Sequence, residues 1–187
     1  MNSTLKKDIL ATLLGTLAFL IMLLVSIPVI PTASFLKYDP SGFLLLLSGA
    51  LLGPACGVLS CFIKGFLYFI TGAGNIFGVT SDFLANIIFI IPTVLVMKRG
   101  GGSTKAAAAG CALGTVLATL AMIPINLVVL RLELGLMPDA VMAMMIPAIL
   151  PFNLLKGVLN SVIYFVAGRP LSRVMARYQQ SGGNRHE

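Results

Sequence analysis

AVMAMMIPAILPFNLLKGVLNSVIYFVAG, residues 140–168, contains one charged side chain, Lys156, in an otherwise apolar run. A helix that crosses a bilayer needs about 20 mainly apolar residues, and this stretch supplies them. An ionisable group inside such a helix is costly and by default marks a substrate or ion site. Asn153 lies three residues before Lys156, so a helix sets both on one face. Together they offer an ammonium with three donors and an amide with two donors and an acceptor. That is chemistry for holding a polar, carbonyl-bearing small molecule.

The rest of the chain repeats the pattern. Residues 9–36, 40–63, 65–81, 83–97 and 106–130 also carry no charge. Across its 187 residues the chain is 58% hydrophobic and 10% charged, with a mean hydropathy of +1.00. A soluble domain carries about 25% charged residues. Backbone groups in lipid must be satisfied within the segment, so the spans are helices. The expectation is an all-α polytopic membrane protein: one domain over 1–187, six transmembrane helices in a compact bundle. The helices are expected at about 8–30, 42–52, 57–70, 82–97, 106–130 and 151–168, with a flexible polar tail over 178–187.

The net charge of +7 follows the same plan. Lys6 and Lys7 precede the first span, Lys98, Arg99 and Lys105 flank a Gly-Gly-Gly-Ser linker, and Arg169, Arg173, Arg177 and Arg185 follow the last span. With six spans these clusters share one side, which the positive-inside rule makes cytoplasmic, together with both termini. The basic surplus is therefore topology and not a nucleic-acid footprint. Cys56, Cys61 and Cys111 lie in apolar stretches without C-x-x-C spacing and read as small buried hydrophobes. The basic start and apolar run of the first segment resemble a signal peptide, but the run exceeds the usual h-region, and a retained helix is expected.

Several local readings follow. Ala11 and Gly15 form a small-x-x-x-small pair on helix 1, suited to close approach by another bundle helix or by an external partner. Lys64 is expected to snorkel to the inner interface. Residues 71–81, with three glycines and no charge, read as a long outer loop able to cover a site. Ser81 or Asp82 is then the cap of helix 4. Pro147 and Pro151 are expected to break the chain, so that helix 6 begins near Pro151 and its N-terminal partial charge adds to Asn153 and Lys156.

On this layout the outer half of the bundle collects Tyr38, Asp39, Asn75, Asn86, Asn126, Asn153 and Lys156 beside phenylalanines and methionines. A few placed polar groups in an apolar cavity is the composition of a small-molecule site. A planar heteroaromatic ligand with carbonyls and a polyhydroxyl tail suits it. The competing reading of each asparagine is a hydrogen bond between helices. Enzymatic chemistry has little support: the sole histidine, His186, is in the tail, and no paired acids, metal-ligand cluster or G-x-S-x-G occur. The Arg99–Lys105 linker lacks the order of a phosphate loop. No span is expected to hold a buried carboxylate suited to proton coupling, since Asp82, Glu133 and Asp139 fall near outer ends. Uphill transport would thus draw its energy from another chain or an ion gradient.

Lys37-Tyr38-Asp39-Pro40-Ser41, the Ala85-Asn86 step, Asn126, and Pro151-Phe152-Asn153-Leu154-Leu155-Lys156-Gly157 resemble the riboflavin-binding S components of energy-coupling factor (ECF) transporters. The likeness runs from helix 1 to Arg173. It implies a multi-pass protein of a bacterial or archaeal cell membrane that captures riboflavin from outside, with no cofactor of its own. It also implies partners: a membrane-embedded coupling protein and two ATPase subunits. By matching positions, Asn126, Asn153 and Lys156 would meet the polar edge of the flavin ring, with Tyr38 and Asp39 near the entrance. Ala11 and Gly15 match the place of an alanine-x-x-x-alanine docking motif. The alternatives are an S component for another vitamin or flavin analogue, and a membrane protein without a transport role.

Overall fold

The computed structural model describes residues 3–172 and 174. Helix α1 (Ser3–Leu24) leads into a short antiparallel hairpin of β1 (Ile27–Pro28) and β2 (Lys37–Tyr38), in which Ile27 pairs with Tyr38. Then follow α2 (Gly42–Leu52), α3 (Pro54–Ile70), α4 (Ile76–Arg99) and α5 (Thr104–Leu134). The last helical body is continuous. It comprises α6 (Pro138–Met144), a π turn at Met145–Ile149, α7 (Leu150–Ile163) and a second π turn at Tyr164–Gly168.

Four of these helical stretches, Thr4–Leu24, Ile76–Arg99, Thr104–Leu134 and Pro138–Ser172, are long and apolar enough to cross a membrane. Two are shorter, Gly42–Leu52 and Pro54–Ile70. The protein is all-α, as its uncharged runs predict, and the helices alternate between two ends. One end gathers the single-residue turn at Gly53, Lys98, the Gly100–Gly102 turn and Arg169, whose guanidinium donates to the Gly102 carbonyl at 3.1 Å. The hairpin, the turn after Ile70 and the turn at Gly135 lie at the ends reached by the opposite passes.

Helix α2 is the hub. Leu44, Leu45, Leu46 and Leu47 are all buried, as expected of a helix apolar all round and wrapped by neighbours. It packs on α1, α3, α4 and α7. Small residues let the backbones meet. A Cβ on Gly57 would lie 3.0 Å from the Gly49 Cα, and one on Gly110 2.7 Å from the Thr93 carbonyl oxygen. Ser60 Oγ reaches both the Ala11 carbonyl and Ser48 Oγ at 2.7 Å, joining α1, α2 and α3.

The structure corrects four expectations. Helix 1 ends at Leu24 and not near Ile30, because Val25, Ile27, Val29 and Ile30 are β-branched and flanked by Pro28 and Pro31, and they enter the hairpin instead. The outer segment at 71–81 is mostly helix: α4 starts at Ile76, with Asn75 as its cap, its Oδ1 accepting from Gly78 N at 2.7 Å. The loop shrinks to Thr71–Asn75, and Ser81 and Asp82 lie inside α4 rather than at its start. Pro147 and Pro151 do not break the last helix, since the π turn around Pro147 accommodates the missing donors. Asn153 and Lys156 are therefore mid-helix, without help from a helix N-terminus. Ala11 and Gly15 are buried against α3, where a Cβ on Gly15 would come 2.7 Å from the Ser60 carbonyl oxygen, which is the close approach by a bundle helix that the small pair allows. The tail at 178–187, His186 included, lies outside the described residues.

Candidate functional site

A cavity of about 320 Å³ opens among the hairpin, α3, α4, α5 and the last helix. Met22, Phe35, Leu36, Tyr68, Leu130 and Phe152 give it apolar walls. Asn75, Asn126, Asn153 and Lys156 supply polar groups, so the structure brings these four sequence-derived candidates to one place. Lys37, Asp82 and Glu133 line it as well, so two cations face two anions.

Three of the asparagines are held in one way. Asn86, Asn126 and Asn153 each donate from Nδ2 to the carbonyl four residues back, at 2.8 Å. That bond fixes each side chain along its own helix and consumes one of its donors. Among the described residues nothing donates to the Oδ1 of Asn126 or Asn153, and both side chains border the cavity. The observed bonds of these two side chains are thus within a helix rather than between helices, and both acceptor oxygens are unengaged among the described residues. Asn75 is shared differently, its Nδ2 donating to Glu133 Oε1 at 2.6 Å and bridging the turn before α4 to the end of α5.

Tyr38, Asp39 and Asn86 are not on the cavity wall. Tyr38 donates its hydroxyl to Asn160 Oδ1 at 3.4 Å. Burial, and then the Asp39 carboxylate beside it, push the Tyr38 phenol up to about 12, so it stays a donor at neutral pH. Asn86 borders a separate void of about 20 Å³ next to Asn153, Lys156 and Asn160. Asp39 turns inward, accepting from Ser41 N at 3.0 Å and from the Ser41 hydroxyl, and so shapes the entry into α2.

The largest departure from the sequence reading concerns Lys64 and Asp82. Lys64 is 1% exposed and does not snorkel. Its Nζ lies 3.3 Å from Asp39 Oδ1 and 3.0 Å from Asp82 Oδ2, while the Lys156 ammonium lies 2.5 Å from Asp82 Oδ1. Helix α4 thus holds a half-buried carboxylate between two ammoniums, and the pocket lysine is paired. One signal pointed here: Lys64 and Lys156 are both flanked by long apolar runs, so each needs a counter-charge, and Asp39 and Asp82 are the acids whose flanking spans pack beside them.

A model of the family described as ECF transporter, substrate-specific component, matches residues 6–168. The chain belongs to that family. This S component is 31% identical to the riboflavin transporter FmnP of Bacillus subtilis over 169 residues, covering 85% of this chain and 88% of that one. It is 25% identical to the riboflavin transporter RibU of Staphylococcus aureus, over 92% and 93% of the two chains. RibU of Streptococcus thermophilus is 29% identical over 95% of this chain and 87% of its own. A solved S component of a bacterial ECF transporter superposes with a TM-score of 0.81 at 24% identity, covering 92% of this chain and 99% of the other, and shares the fold. The S component is accordingly a membrane-protein subunit of a transporter and not an enzyme.

Proposed function

We propose that this S component binds riboflavin in the cavity between the hairpin and the last helix and delivers it across the cell membrane. The observation that carries the reading is the convergence of Lys156 with the free acceptor oxygens of Asn126 and Asn153 in a cavity of mixed polar and apolar lining. An isoalloxazine edge alternates carbonyls and ring nitrogens, which an ammonium and two amides satisfy. The flat ring takes the Phe and Leu walls. Two cations opposing two anions leave no net charge on the lining, which suits a neutral ligand. The similarity to three riboflavin transporters supports the same substrate.

The membrane arrangement we propose has six spans, with both termini cytoplasmic, in the cell membrane of a bacterium. Helix α2 has 11 residues, about 16 Å at 1.5 Å each, too short for a lipid-facing span. It is buried by its neighbours and can cross as part of the bundle. Lys98, Arg99, Lys105 and Arg169 gather at one end, which the positive-inside rule puts in the cytoplasm. The cavity then opens outward. Transport is completed by a membrane-embedded coupling protein and two ATPase subunits, since this sequence has no nucleotide-binding motif.

The test is flavin content after purification in mild detergent from cells grown with riboflavin, followed by titration of ligand-free protein through flavin fluorescence quenching. Saturable binding of about one flavin per chain is the expected result. A colourless protein that ignores riboflavin but binds another vitamin would keep the fold and overturn the substrate.

A further inference from the structure

Asp39, Lys64, Asp82 and Lys156 form one line of alternating charge, buried at Asp39 and Lys64 and half-buried at Asp82 and Lys156, across four segments: the turn after β2, α3, α4 and α7. Lys64 sits between carboxylates, 3.3 and 3.4 Å from the Asp39 oxygens and 3.0 Å from Asp82. Asp39 is 2% exposed, and neither it nor Lys64 lines the cavity. Burying ion pairs gains little stability over a well-packed apolar cluster, so stability alone is a poor reason for the line. Its two ends supply a better one. Lys156 is on the cavity wall, and Phe35, Leu36 and Lys37, immediately before the turn that Asp39 anchors, form part of the cavity rim.

We infer that Asp39, Lys64 and Asp82 are positioning residues that tie the rim of the cavity to its ligand-facing lysine. Asp82 aims the Lys156 ammonium, and Lys64 fastens the turn behind the hairpin to that same carboxylate. A ligand oxygen that draws on Lys156 leaves Asp82 to lean on Lys64. The hold on the hairpin therefore depends on what occupies the cavity, and the ligand's residence time depends on the Asp39–Lys64 pair, which does not line it. The inference rests on the cavity being the riboflavin site.

The experiment compares the full-length protein with Asp82→Asn, Asp39→Asn and the double variant Asp39→Asn/Lys64→Met in detergent. Riboflavin affinity, dissociation rate and melting temperature are read for each. Asp82→Asn leaves two ammoniums without the anion between them, and riboflavin affinity is expected to fall at least about tenfold. Asp39→Asn frees the turn, and dissociation is expected to quicken by about fivefold or more, with association changed less. The double variant removes both a charge and its counter-charge, leaving Asp82 paired with Lys156. Its melting temperature is expected to return toward wild type while dissociation stays fast. A merely structural pair predicts that residence time recovers together with stability. That recovery, or Asp82→Asn binding with wild-type affinity, overturns the relay. If Asp82→Asn does not fold, the double variant decides. A wild-type protein that binds no riboflavin overturns the substrate assignment instead, whatever the variants do.

Discussion

Lys156 is tolerable in an apolar helix because Asp82 Oδ1 is 2.5 Å away, and Asp82 in turn has Lys64 on its other oxygen. The two lysines are consequently unequal. Lys156→Met removes a donor from the cavity but leaves Asp82 with Lys64, so the protein should remain folded while riboflavin affinity falls by at least about tenfold in a quenching titration. Lys64→Met leaves Asp39 without its ammonium in a fully buried place, and should cost about 3–5 kcal/mol of stability, read as a lower detergent melting temperature. Asn126 gives a third contrast. One donor of its Nδ2 goes to the Met122 carbonyl and its Oδ1 is not engaged, so Asn126→Ala should weaken binding several-fold, about 1 kcal/mol, with little change in melting. Unchanged affinity would make that side chain a helix brace alone. The sequence exposed Lys156, Asn153 and Asn126 as candidates because polar groups in long apolar runs are conspicuous. It concealed Asp82, since an acid near a serine reads as a helix cap until the true start of α4 at Ile76 is known.

At the scale of elements, the uncharged runs marked where helices lie, but their ends depended on interactions that a hydropathy pattern does not contain. Asn75 moves the start of α4 into a glycine-rich segment by capping it, and the π turn carries the last helix through two prolines. Local breaker signals lose there to the tertiary packing of Met145, Ala148 and Ile149 in the core beneath the hairpin. The small residues of α1 were legible as a contact face, though not which contact. Because a Cβ on Gly15 already meets the Ser60 backbone, Gly15→Leu should force α1 off α3 and lower the melting temperature, by about 1–3 kcal/mol of overpacking or more. Leu13→Ala, on the exposed side of the same helix, should leave melting unchanged. If Gly15→Leu melts like wild type and loses uptake only in the presence of the transport partners, the face belongs to docking and the packing account fails.

For the whole molecule, charge asymmetry and helix alternation lead to one orientation, and the two can be tested together. Ser103 caps α5 at the end that holds Lys98 and Arg169, its Oγ accepting from Ala106 N at 3.2 Å. Met137 precedes α6 at the opposite end of α5 and is 68% exposed. The native Cys56, Cys61 and Cys111 are buried and free, so they offer little background to a bulky polar maleimide. Met137→Cys should therefore label in intact cells with a membrane-impermeant maleimide. Ser103→Cys should label only after permeabilisation or in inverted vesicles. This pattern follows from basic groups being retained on the cytoplasmic side, and it is what an outward-opening cavity requires. Labelling of Ser103→Cys in intact cells would reverse the molecule and put the cavity mouth inside. Labelling of both from one side would mean that α5, a helix of 31 residues, does not cross, and the six-span arrangement would fall with it.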